Sequence, residues 1–411
     1  MVDRNERANQ RNALIAGFLG WTLDAFDFFI LTFVLADVAR DFHLYHRDPA
    51  GHLGPDIAAI AFTLTASLMT RPVGAFIFGL MADRYGRRLP LMLDIVFYSV
   101  IEVLSGLAPN YTVFLILRLL YGVGMGGEWG VGASLAMESV PARWRGLLSG
   151  LLQEGYACGF LLAAVVYWTV FPAWGWRAMF FIGGVPALLS LFVRAKVKET
   201  EAWRRSRTDW GSYRRAIAQH FPLFAYLVLL MAMMNFISHG TQDLYPTFLQ
   251  QQHHFSPRLT AWITIISMVG AIAGGLAFGL LSDRIGRRRA MLVAVLLAAA
   301  LVPLWVRAPW APLVAAGAFL MQFMVQGAWG VIPAHINELS PDQLRGFLPG
   351  FAYQLGVLIA SSITYFEALI GAHFSYSFSM GILAAGVLLV GAIVIGVGPE
   401  AHGVLFGRTV S

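Results

Sequence analysis

Asn235, Ser238, His239, Gln242 and Asp243 are polar side chains set close together in an otherwise apolar stretch. A helix turns ~100° per residue, so the first four share an arc of about 100° and Asp243 lies about 40° beyond His239. One helix face thus carries two amides, a hydroxyl, an imidazole and a carboxylate. Buried in lipid, each such group costs several kcal/mol unless it faces partners or a wet cavity. An aspartate one turn from a histidine can accept from a ring nitrogen, which raises the imidazole's basicity and sets its tautomer. His239 and Asp243 are therefore candidate proton carriers in a transport site. The competing possibility is a core histidine satisfied by its neighbours.

Other ionisable residues also fall in apolar runs. Asp24 and Asp27 are three apart, hence on one helix face, and two close carboxyls need not both ionise. They are further candidate proton carriers, or structural partners of Arg71 or Arg118. The planar fork of Arg71 matches a carboxylate bidentately, which makes it the candidate anion-binding residue. Arg118 is expected either to orient substrate or couple protons, or to serve structure, and Glu128 is open in the same way. Gln322 and Gln326 are one turn apart and suit a cavity face. Gln153, Glu154, Asn337 and Glu367 carry weaker signals.

The elements that must position these residues follow from composition. Of 411 residues, 58% are hydrophobic and 13% charged, and mean hydropathy is +0.65. Soluble domains carry about 25% charged residues, so this is a membrane chain. Apolar segments long enough to span occur near 13–39, 56–82, 89–108, 112–138, 146–171, 176–195, 222–250, 258–282, 289–307, 311–337, 346–370 and 374–398. The predicted fold is an all-α membrane protein of 12 transmembrane helices. A polar stretch rich in Arg and Trp, residues 196–220, separates a bundle over 1–195 from one over 221–411 and reads as an amphipathic linker on the membrane surface. Of 29 Lys and Arg, only Arg40, Arg47, Arg177, Arg258 and Arg307 fall on one side, and Arg71 and Arg118 within spans. The bias predicts both termini in the cytoplasm of a cell inner or plasma membrane. The net charge of +6 is thus a matter of topology, with no nucleic acid expected as a partner. Cys158 is the only cysteine, so no intramolecular disulfide can form. The polar first residues and long first apolar run argue against a cleaved signal peptide.

An internal repeat divides the chain. Gly79, Asp83, Arg84, Gly86, Arg87 and Arg88 recur 200 positions later as Gly279, Asp283, Arg284, Gly286, Arg287 and Arg288. The same offset relates Glu138, Pro141, Arg145 and Gly146 to Glu338, Pro341, Arg345 and Gly346, and Gly127, Trp129 and Gly130 to Gly327, Trp329 and Gly330. The paired Gly-x-x-x-Asp-Arg-x-Gly-Arg-Arg loops resemble the signature of the major facilitator superfamily. The resemblance covers the whole chain. It implies two pseudo-symmetric six-helix bundles, a substrate path between the repeats and alternating access. Asp83 and Asp283 can accept from helix N-termini or pair with Arg87 and Arg287 as a gating latch. Glu138 with Arg145, and Glu338 with Arg345, are expected as ion pairs across the short loops. Arg118, followed by Gly122, Gly124, Gly126 and Gly127, also resembles the superfamily's fourth-helix pattern.

The stretch Asn235-x-x-Ser238-His239-x-Thr241-Gln242-Asp243-x-x-x-Thr247 is similar to the seventh-helix signature of fungal lactate/pyruvate:proton permeases, in the sialate:proton symporter group. That resemblance implies proton-coupling roles for His239 and Asp243 and substrate recognition by Asn235 and Gln242. Tyr353-Gln354-Leu355-Gly356 and Arg71-Pro72 look like site segments of the same group. Val357 stands where the family pattern has an amide, which bears on substrate range.

No P-loop, no His/Cys metal spacing and no catalytic nucleophile pattern is present, so ATP hydrolysis on this chain and enzymatic function are not expected. The expected function is proton-coupled symport of a small monocarboxylate such as lactate or pyruvate, by a monomer with no cofactor beyond the coupling proton. The alternatives are symport of a larger acid such as sialic acid or an aromatic acid, export of drugs or sugars, and a non-transporting sensor.

Overall fold

The computed structural model describes residues 4–47, 53–205, 210–361 and 375–406. Glu367 and Arg207 lie outside these. The helices are α1 (Arg4–Asp41), α2 (Ile57–Tyr85), α3 (Arg88–Gly106), α4 (Tyr111–Ser139), α5 (Arg145–Gln153), α6 (Gly155–Ile182), α7 (Ala187–Lys196), α8 (Glu201–Arg205), α9 (Trp210–Gln219), α10 (Phe221–Gln242), α11 (Tyr245–Gln251), α12 (Pro257–Ile285), α13 (Arg287–Arg307), α14 (Ala311–Leu339), α15 (Leu348–Ala360) and α16 (Tyr376–Val397). A small antiparallel hairpin, β1 (Tyr45–Arg47) with β2 (Leu53–Pro55), joins α1 to α2.

Nine stretches of the described residues are long and apolar enough to cross a bilayer. One of them, Ala142–Ile182, is divided at Gly175, whose φ of 70° no helix interior adopts. Beyond Gly175 the chain continues through residues 176–182 into α7, and with the polar-studded α4 and the shorter α15 the described residues are consistent with the expected twelve-helix membrane fold.

Local signals account for the breaks. Asp56 caps α2 by accepting from Ala59 N at 3.0 Å. Ser256 caps α12, with Pro257 at its first position. Gly86 and Gly286 take φ of 100° and 96°, where a side chain is strained, and so separate α2 from α3 and α12 from α13.

The chain forms two compact units. The first takes the described residues of Met1–Ser139, Gly155–Asp209 and Asp342–Gln354; the second those of Val140–Glu154, Trp210–Pro341 and Leu355–Ser411. These units do not follow the halves divided at the 196–220 linker. Residues 140–154, from the first half, belong to the second unit, and 342–354, from the second half, belong to the first.

In the first unit α2 packs on α4 and α1 on α6. Phe26, Ile30, Val34, Phe114 and Phe180 form one buried cluster. In the second, α12 packs on α14 and α13 on α16. The helix contacts are close because of glycine. A Cβ on Gly126 would stand 1.9 Å from Arg71 O, and one on Gly274 1.9 Å from Phe323 O. Backbones meeting this closely gain dispersion contacts that lipid cannot displace. Large apolar side chains such as Trp168, Val397 and Ile393 remain exposed, as a lipid-facing surface requires.

Candidate functional site

Both Asp–Arg pairs expected from the sequence form, each inside one unit. In the first, Asp83 pairs with Arg87 (Oδ1 to Nη1, 2.8 Å) and accepts from Gly346 N (2.7 Å) and Phe347 N (3.1 Å), at the start of the last turn before α15. Arg87 Nη2 also reaches Glu138 Oε1 at 2.9 Å. In the second, Asp283 pairs with Arg287 (2.7 Å) and accepts from Gly146 N (2.8 Å) and Leu147 N (3.0 Å), at the start of α5. Arg287 Nε reaches Glu338 Oε2 at 2.9 Å. A carboxylate on orphan helix-start amides is well placed for both hydrogen bonding and the helix dipole. Burial by itself lowers the pKa of the Arg87 guanidinium; the Glu138 and Asp83 carboxylates outweigh it and hold the pKa above its ordinary value.

The ion pairs across the short loops differ from expectation. Arg145 lies 2.7 Å from Glu338, not beside Glu138, and Arg345 lies 3.9 Å from Glu138, not beside Glu338. The turns at Ala142–Trp144 and Asp342–Leu344 carry each arginine away from the glutamate before it in sequence and into the unit of the other glutamate. Sequence reasoning also passed over two further latch members. Glu199 accepts from Arg87 N (3.0 Å) and Arg88 N (3.2 Å), and Glu400 from Arg287 N (3.1 Å) and Arg288 N (2.9 Å). They are an acid pair just off the 200-residue register, which a strict offset misses. In the linker, Trp203 Nε1 donates to Asp83 O at 2.7 Å, tying α8 to the first latch.

The polar face of α10 lies in the second unit. His239 Nδ1 stands 3.2 Å from Asp243 Oδ2, with the two side chains 37% and 35% exposed. Gln242 Nε2 donates to Gln322 Oε1 (2.7 Å), Gln322 Nε2 to Thr241 O (3.2 Å), and Gln326 Nε2 to Ser238 Oγ (3.3 Å). The α10 and α14 polar rows therefore interlock. Beside them, Thr241, Gln242, Tyr245, Ser267, Trp305 and Gln322 line a cavity of ≈ 30 Å³, room for about one water. Asn235 is buried, and its amide donates back to Met231 O at 2.8 Å. Trp329 Nε1 donates to Met234 O at 3.1 Å, so this ring is a packing element.

The first unit gathers Asp24, Asp27, Arg71, Arg118 and Gln354. Arg71 Nη2 is 3.8 Å from Asp24 Oδ2, and both are buried. Arg118, for which the sequence allows a substrate or coupling role or a structural one, is engaged internally. It donates to Glu102 and to Ser105 Oγ (2.7 Å) and stacks on Tyr121 (4.4 Å), Phe180 (5.2 Å) and Phe114 (5.5 Å). Gln354 Nε2 approaches Gly126 O at 3.4 Å. Trp129 packs 4.5 Å from Tyr353 and 6.5 Å from Trp21, in one aromatic cluster. The acids Asp94 and Glu102 of α3 are fully buried here as well. Their only sequence signal is a carboxyl in an apolar run.

Among known proteins, the family model described as sugar (and other) transporter matches residues 12–220 and 223–399. The chain is 29% identical over 384 residues to the carboxylic acid transporter protein homolog of Saccharomyces cerevisiae, covering 87% of this chain and 60% of that protein. It is 28% identical to the sialic acid transporter NanX of Escherichia coli, covering 93% and 94% of the two chains. The solved structure of the major facilitator superfamily proton:xylose symporter XylE, bound to 6-bromo-6-deoxy-D-glucose, superposes with a TM-score of 0.78 at 18% identity, covering 98% of both chains.

Proposed function

Because the chain belongs to the sugar (and other) transporter family of the major facilitator superfamily, we propose that it is a proton-coupled symporter of small organic acid anions, with lactate or pyruvate as the first substrates to test. It is a multi-pass membrane transporter, not an enzyme. In the proposed orientation both termini and both latches lie on the cytoplasmic side. The observation that carries the reading is the His239–Asp243 pair at 3.2 Å on a half-exposed face of a membrane-spanning segment. A carboxylate beside an imidazole can accept from its ring N–H and fix its tautomer. Arg71 supplies the positive charge for the anion, in exchange with Asp24.

In the proposed cycle a proton loads at His239/Asp243, the anion binds Arg71 with Gln354 at another oxygen, and the latches part. An unpaired charge in the membrane interior is costly, so the change of state is favourable only with both proton and anion bound, or with neither. No metal or cofactor is required.

The test is uptake of radiolabelled L-lactate into proteoliposomes under an inward proton gradient, with and without a protonophore. Gradient-driven uptake that collapses with protonophore supports the reading; uptake unaffected by it makes the protein a uniporter. The similarity to NanX favours one second reading, a larger organic acid. A competition panel of lactate, pyruvate, sialic acid and aromatic acids separates the two.

A further inference from the structure

We propose that Glu102, on α3, is a second seat for the transported proton, exchanging it with Asp27 of α1 across Arg118. This deepens the proton-coupling reading and rests on it.

The argument starts from charge. Asp24, Asp27, Asp94, Glu102 and Glu128 are all fully buried in the first unit, and Arg71 and Arg118 are the buried guanidinium groups among them. An isolated buried charge is far more costly than a neutral acid, so carboxyls without a cation keep their protons. Arg71 lies nearest Asp24. Arg118 bonds Glu102. Asp27 is then left without a cation, and both its oxygens lack a hydrogen-bond partner among the described residues, as does Glu102 Oε1.

Asp27 and Glu102 converge on one point. A Cβ on Gly183 would stand 2.4 Å from Glu102 Cγ and 3.0 Å from Asp27 Oδ1. Gly183 opens the non-helical turn between α6 and α7, so the helix breaks where the two acids meet. The charged groups acting on Asp27 are Glu102, Asp24 and Arg118. Tyr121, whose ring lies 4.4 Å from Arg118, and Tyr98 of α3, 6.4 Å from Tyr121, are the phenols beside them. Glu128 and Asp24 act on Asp94, and Asp24 and Arg71 act on Glu128.

The exchange keeps net charge constant. Asp27 gives up its O–H proton, the proton bonds to a Glu102 oxygen, and Arg118 passes from the Glu102 carboxylate to the new Asp27 carboxylate. No bare charge is formed at either end. The proton thus has two stable seats on two helices, and motion of α1 against α3 selects between them. Glu102 acts on Asp27 through Arg118, so it is a positioning residue as well as a proton holder.

The test has two arms on the full-length protein. In infrared difference spectra of substrate-free protein titrated with pH, one component of the protonated-carboxyl carbonyl stretch, apart from those of Asp94 and Glu128, is expected to shift in Glu102→Gln and to be lost in Asp27→Asn. The same band in both variants and the wild type overturns the proposal, whether or not the protein transports. If sodium chloride, but not choline chloride, abolishes the band, the pair is a cation site and the proposal also falls. In proteoliposomes, Glu102→Gln is expected to flatten the pH profile of uptake and Glu102→Asp to restore it; a wild-type profile in Glu102→Gln overturns the proposal. Wild-type uptake indifferent to protonophore, with the band present, sinks the coupling reading and leaves the proton seat standing. Size-exclusion profiles identify a variant that has failed to fold, in which case Glu102→Asp alone decides through its shifted band.

Discussion

Arg145 Nη1 lies 2.7 Å from Glu338 Oε1, although the glutamate closer to it in sequence is Glu138. Both side chains are almost wholly buried. Each fourth-to-fifth and tenth-to-eleventh helix loop therefore sends its arginine to the glutamate of the other repeat. The pair gains little against an apolar substitute; losing Glu338 takes the counter-charge from Arg145, at about 3–5 kcal/mol, whereas losing Arg145 leaves Glu338 its contact with Arg287. Glu338→Ala should therefore lower the thermal midpoint in detergent more than Arg145→Ala, and the double substitution should cost less than the sum of the two. Additive losses would show that the two do not interact.

Asp83 accepts two helix-start amides and one guanidinium. Hydrogen bonds to a charged acceptor contribute about 1.5–3 kcal/mol each, so Asp83→Asn should shift the latch toward its open state by tenfold or more. Labelling of a single cysteine placed near Gly346, in a background with Cys158 replaced, should speed up. Asp283→Asn should do the same near Gly146. Unchanged labelling would remove the latch role.

His239→Ala and Asp243→Ala should each abolish gradient-driven uptake while the folded fraction is kept, because both side chains are part-exposed. Normal proton-driven transport by both variants would exclude this helix from coupling.

Gly126 and Gly274 each sit where a Cβ would stand 1.9 Å from a neighbouring carbonyl. A branched side chain forces the helices apart, and overpacking of this kind typically costs about 1–3 kcal/mol, occasionally more. Gly126→Val and Gly274→Val should cut the yield of folded protein and its thermal midpoint, whereas Gly386→Val, with nothing within 4 Å of its Cβ position, should not.

Glu199 and Glu400 accept from the first amides of α3 and α13. Replacing a capping carboxylate costs about 1 kcal/mol, so each Gln variant should lower the thermal midpoint modestly, and the two effects should add.

The sequence by itself determined the membrane class, the twelve helices, the duplication and the latch acids. These signals are local or periodic: apolar length is set by bilayer thickness, and a repeat is visible as identity at a constant offset. The polar face of α10 was legible for the same reason, since helix geometry turns spacing into direction. Only the tertiary structure decided which charges meet. Arg145 and Glu338, and Glu199 and the α3 amides, are far apart in sequence, Arg118 and Glu102 stand on different helices, and no periodicity relates any of these pairs. Their pairing follows from where the turns at Ala142–Trp144 and Asp342–Leu344 send the chain and from which buried charges lack a nearer counter-ion. In a low-dielectric interior that lack is expensive, so the packing of helices, not the order of residues, chose the partners.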